Sequence, residues 1–137
     1  MEIYSIKFYK TASEFISDLD KAISELEASV KALQPQIEQL KDVAERYRKI
    51  QDLLKKFGQK EAGAPPLEIT GLGIYIDPSP TVKYDIFSQS YAHMLDVLSV
   101  LKKVREVASS VIQEGGLADA AVAVQFRDGI PVKLIVL

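Results

Sequence analysis

The sequence predicts an α+β fold: one very long helix, a second helix packed on a small, mainly antiparallel sheet, and sheet strands drawn from both ends of the chain. Three observations carry this reading. Apolar residues recur at alternating spacings of three and four between residues 16 and 54. Runs rich in β-branched and aromatic residues stand at 2–9 and 120–137. Near the end, Asp128-Gly129 separates two apolar runs, the strongest short-range signal for a hairpin.

The elements follow in order. Residues 2–9 read as a strand. Thr11-Ala12-Ser13-Glu14 fits a capping box, in which hydroxyl and carboxylate satisfy the free amides at a helix start. The helix that begins there is expected over 11–58, with Gly58 as its stop and Lys55 and Lys56 complementing the negative end of its dipole. Residues 59–66, with Gly63 and Pro65-Pro66, read as a linker. The portion 67–137 is expected as hairpin, helix, hairpin. Its parts are a strand over 67–76, a turn at 77–80, a returning strand over 81–87, and a helix over 89–113 that Ser88 caps and Gly115-Gly116 ends. Pro131 needs a position without an amide partner, so its strand is expected at an edge or with a bulge, while the apolar end 133–137 is expected inside the sheet.

The most specific pattern is the heptad of the first helix. Its a column is Ile16, Ile23, Val30, Ile37, Ala44 and Gln51; its d column is Leu19, Leu26, Leu33, Leu40, Tyr47 and Leu54. Such a run argues a coiled coil or long bundle helix, and Ile23, Leu26, Val30, Leu33, Ile37, Leu40, Ala44 and Tyr47 are the expected oligomer interface. The e column runs from acidic Asp20 and Glu27 to basic Lys41, Arg48 and Lys55. Antiparallel pairing would set Asp20 against Lys55 and Glu27 against Arg48, whereas parallel pairing forms no opposite-charge contact. Exposed pairs contribute only about 0.2–1 kcal/mol each, so they select orientation more than they stabilise.

Pro35 separates two structures. If the helix continues, it spans roughly 65–70 Å at 1.5 Å per residue. A compact domain of this length has a radius of gyration of about 14 Å, so such an arm needs a partner chain. The rival is a helical hairpin turning at Gln34-Pro35-Gln36, which pairs Asp20 with Arg48 and Glu27 with Lys41. Pro35 falls at the outermost f position with the phase unbroken, and the turn lacks a Gly or Asn, which favours continuity. Apolar g positions widen the stripe, and a second helix supplies the third surface. One of its faces holds Phe87, Tyr91, Met94, Leu98, Leu101, Ala108 and Ile112, and another holds Val97, Val100, Val104, Val107 and Val111.

Composition narrows the chemistry. At 137 residues, 47% hydrophobic and 26% charged, the chain reads as one globular domain, 1–137. It has no Cys and one His, which removes disulfides, thiolate metal sites, a Cys nucleophile and His-rich metal sites. No charged-then-apolar leader and no long apolar span is present, so the expectation is a cytoplasmic protein with no membrane partner. The lack of Asn and Cys hints at heat resistance, which eight Gln residues weaken. Gly71-Leu72-Gly73 lacks the rest of a phosphate loop. His93 and Asp96, with Asp77 or Asp85, are too few for an expected metal or acid–base site, and no serine stands in a nucleophile motif. Neither a cofactor, a metal nor a catalytic residue is expected. The basic group Lys41, Arg46, Arg48, Lys49, Lys55, Lys56 and Lys60 gives the alternative reading, with Arg46, Arg48, Lys49, Lys55 and Lys56 as phosphate contacts to nucleic acid. The leading expectation is a non-enzymatic scaffold or adaptor that assembles with itself, as a homodimer or higher oligomer, and presents surfaces to a protein partner.

Overall fold

A computed structural model describes residues 2–58 and 66–137. The elements are β1 (Tyr4–Tyr9), α1 (Ala12–Lys56), β2 (Leu67–Ile69), β3 (Leu72–Ile74), α2 (Pro80–Glu114), β4 (Val122–Arg127) and β5 (Ile130–Val136). The architecture is α+β with a long helix. The predicted linker 59–66 lies outside the described residues except for Pro66, as does Lys60. The chain gathers into two compact units, one formed by residues up to Val30 together with His93–Leu137, the other by Lys31–Ala92, and both helices contribute to each.

In the first unit, β4 is the central strand of an antiparallel sheet in the order β1-β4-β5. Its inner face sets Val122 and Val124, both fully buried, against Phe15, Leu19 and Ile23 of α1 and Leu98, Leu101, Ala108 and Ile112 of α2. Asp128 and Gly129 take φ of 51° and 82°, the left-handed pair that the two-residue turn between β4 and β5 requires. The C-terminal strand β5 is an edge, not the interior strand expected. Pro131 explains this: it stands opposite Phe126 beside a register shift at Gln125/Phe126, where its missing amide breaks no regular ladder.

The start of α1 is closed from both directions. The Glu14 amide donates to the Thr11 hydroxyl at 3.3 Å. The amides of Ala12 and Ser13 donate to the carbonyls of Ala120 and Ala118 at 2.8 and 3.2 Å. The helix then continues through Pro35, so the hairpin turn at 34–36 does not form. An exposed proline costs one intrahelical bond and a clash with the preceding turn, but nothing there supplies the left-handed residue that would end a helix.

The second helix begins at Pro80 instead of Gln89, which overturns both the returning strand over 81–87 and the Ser88 cap. Ser79 is the cap: its hydroxyl accepts from the Val82 amide at 3.3 Å and its carbonyl from the Lys83 amide at 3.0 Å. Pro80 occupies the first helical position, where its fixed φ is already helical. The strand expected over 67–76 is instead a hairpin of two three-residue strands, with Thr70 and Gly71 at φ of 50° and 83° forming the turn. A β-branched residue seldom adopts that conformation, so the turn carried no ordinary signal.

Candidate functional site

The predicted interface residues divide between the two units. In the first, Leu19, Ile23 and Leu26 pack with Val97, Leu98 and Leu101 of α2. Asp20 accepts both a 2.8 Å and a 3.4 Å bond from the Arg105 guanidinium, and Glu27 lies 3.6 Å from the Lys102 ammonium. As α1 advances from Asp20 to Glu27, its partners on α2 step backwards, so the helices are antiparallel here. In the second unit Ala44 is buried, its carbonyl accepts from the Thr81 hydroxyl at 3.4 Å, and Arg48 lies 3.7 Å from Asp85. Leu33, Ile37, Leu40 and Tyr47 are half-buried there, as Val30 is in the first unit. The seam read from the heptad is therefore engaged by α2 of the same chain at Leu19, Ile23 and Leu26. Asp20, Glu27 and Arg48 take Arg105, Lys102 and Asp85 as partners, in place of the Arg48 and Lys41 that a hairpin would have offered the two acids.

What the heptad reading did not foresee is how much apolar surface stays open. On α1 and in the turn that follows it, Val43, Ile50 and Phe57 of the g column and Leu54 of the d column are exposed, together with Leu53. They recur at spacings of four and three with Tyr47 among them, so they form one continuous stripe. The β2–β3 hairpin of the same unit pairs Leu67 with Ile74 and Ile69 with Leu72, which puts all four on one face. Leu67, Ile69 and Leu72 are each more than half exposed. In the first unit, alternation sends Ile6, Phe8 and Ile135 to the outer face of the sheet, around the small central residue Ala123. The valine face of α2 is only partly covered: Val97 and Val104 are half-buried, while Val100, Val107 and Val111 are exposed.

The candidate polar chemistry is dispersed. Among the described residues, no three His, Asp or Glu side chains come together as a metal cage. Arg46, Lys49, Lys55 and Lys56 are exposed on α1. The tightest polar cluster lies elsewhere: Asp18 accepts from the Lys7 ammonium at 2.7 Å and from the Tyr9 hydroxyl at 2.9 Å, while Lys7 also lies 5.2 Å from the Tyr9 ring centre. Bonds from Lys7 and then Tyr9 hold the Asp18 carboxyl below its ordinary range. Burial first, then the hydrogen bond to Asp18 and last the Asp18 charge push the Tyr9 hydroxyl well above its own. A carboxylate kept ionised beside a phenol kept neutral has no group poised to exchange a proton near pH 7. The cluster instead ties β1 to the first turns of α1. Lys7 projects from β1 on the same face as Val124, and an inward charge of this kind discourages another strand from adding at that edge.

Among the described residues, no helix is long and apolar enough to cross a membrane. Comparison with protein-family models, with curated proteins and with solved structures finds no match to this chain.

Proposed function

We propose that this protein is a non-enzymatic, cytoplasmic scaffold or adaptor that assembles with copies of itself through antiparallel pairing of α1. The observation that carries the reading is the open stripe Val43, Ile50, Leu54 and Phe57, with half-buried Tyr47 among them, which shares its d column with the seam that α1 turns toward its own chain. Pairing two such stripes about a two-fold axis joins two helical pairs into a four-helix bundle, with Leu33 and Leu40 extending the contact. The β2–β3 hairpin supports the same reading. Two strands of three residues are at best marginally stable in water, and their apolar face stands in the same unit as the stripe. Because Asp20, Glu27 and Arg48 already have partners within the chain, association rests on the apolar stripe more than on charge.

Sedimentation velocity of the full chain at micromolar concentration tests this. The wild type should run as a dimer or larger, and Ile50→Asp, at an exposed position, should run as a monomer with an unchanged circular-dichroism spectrum. A wild-type monomer would sink the model. The alternative, a nucleic-acid-associated factor using the basic half of α1, draws support from the exposed Arg46, Lys49 and Lys56, but Arg48 is already paired. Titration with duplex and single-stranded oligonucleotides at low and high salt separates the two; salt-sensitive binding would favour the alternative.

A further inference from the structure

The half-covered valine face of α2 borders a groove of about 460 Å³ within the first unit. Its walls are Val104, Val107 and Val111 of α2 and Val132 and Leu134 of β5, with Phe15 among the lining residues. No hydroxyl, amide or carboxylate side chain lines it. The two charged residues that do are both basic, Lys103 and Lys133, and among the described residues neither ammonium has an ion pair. Lys133 alternates with Leu134 onto the outer face of the sheet, with Ile135, which leaves Lys103, one turn before Val107, as the charge beside the valines. The bulge at Gln125/Phe126 belongs to the same construction, because it sets Val132 beside Pro131 as the extra residue of β5.

We propose that this groove binds a single-chain aliphatic carboxylate, a free fatty acid, with its chain along the valines and its head group at Lys103. Each part of that ligand answers a feature of the groove. Walls without hydrogen-bonding side chains penalise any ligand body that carries polar groups, which excludes sugars and nucleotides. The sole aromatic residue among the lining, Phe15, is almost completely buried and offers no stacking face. The Lys103 ammonium, with no acidic residue in the lining, favours an anionic head. The volume falls within the usual range for small-molecule pockets, roughly 300–1,000 Å³, and suits one slender chain.

The test is calorimetric titration of the full chain with dodecanoate below its micelle-forming concentration, alongside 1-dodecanol and inorganic phosphate. Dodecanoate should bind saturably at one per chain. Dodecanol, lacking the charge, should bind at least tenfold more weakly, and phosphate, lacking the chain, should give no saturable heat. Val107→Asp, at an exposed position, should abolish dodecanoate binding while the circular-dichroism spectrum and the sedimentation coefficient stay unchanged. Lys103→Ala should bring dodecanoate down to the affinity of dodecanol. Absence of wild-type binding, or equal binding by Val107→Asp, overturns the proposal. So does a Val107→Asp variant that changes the sedimentation coefficient and leaves dodecanoate binding intact, because the groove is then a contact between copies. Ile50→Asp lies in the other unit and should bind dodecanoate as the wild type does, which keeps this outcome independent of the self-assembly test.

Discussion

Gly116 shows how much a single residue settles. At the end of α2 its φ is 65°, the Leu117 amide donates to the Ile112 carbonyl at 2.8 Å, and the Gly116 amide donates to the Gln113 carbonyl at 3.2 Å. This is a Schellman cap, and its usual hydrophobic contact is present because Leu117 packs on the core cluster that contains Ile112. Gly116→Ala should therefore cost about 1–2 kcal/mol by urea denaturation, since a Cβ disfavours the left-handed region even where space is open. Tyr9 makes a different prediction. Its hydroxyl pKa is raised in the folded state, so folding favours the neutral phenol; that contribution is complete below about pH 10 and lost as pH rises above it. At pH 7 Tyr9→Phe should lose about 1 kcal/mol with the bond to Asp18. Above pH 10 the deficit should shrink and then reverse, which denaturation at pH 7 and pH 11 would detect. The Asp18 carboxylate works in the opposite direction: its contribution is complete above about pH 4 and falls away as pH drops below that.

Among the elements, α1 was the most legible in advance. A heptad with apolar a and d positions needs only local information, and so does Asp128-Gly129 as a turn. The start of α2 was misread because Ser79-Pro80 suits both a turn and a helix entry, and Asp77-Pro78 before it argues for the turn. Only the bonds from Val82 and Lys83 back to Ser79 decide it. The candidate surfaces were less visible, because exposure is a property of what the rest of the fold covers. The valines of α2 and the g column of α1 were recognisable as apolar, yet nothing in their spacing says that Val107 or Ile50 stays open. Pro35 offers a test at this scale. Pro35→Ala restores an amide in the helix interior and should stabilise the chain by up to about 3 kcal/mol, read as a shift of the urea midpoint. A destabilised variant would mean that the proline has a structural use within α1.

At the scale of the whole molecule, the sheet is assembled from residues that lie far apart in sequence. Ile3 and Asp128, 125 positions apart, exchange two hydrogen bonds: the Ile3 amide reaches the Asp128 carboxylate at 2.9 Å, and the Asp128 amide reaches the Ile3 carbonyl at 2.8 Å. β1 pairs with β4 along its whole length in the same long-range manner. This has a kinetic consequence. During synthesis β1 emerges before either helix and stays without its partner until both helices and β4 have followed, with Ile6 and Phe8 uncovered throughout. Closing so long a loop is slow, so we expect contacts among the helices to precede the joining of β1 to β4. Stopped-flow refolding should show Leu98→Ala slowing folding, while Tyr9→Ala, at the β1–β4 seam, mainly speeds unfolding. The last step of folding would then be the one that withdraws β1 from the risk of pairing with a neighbour.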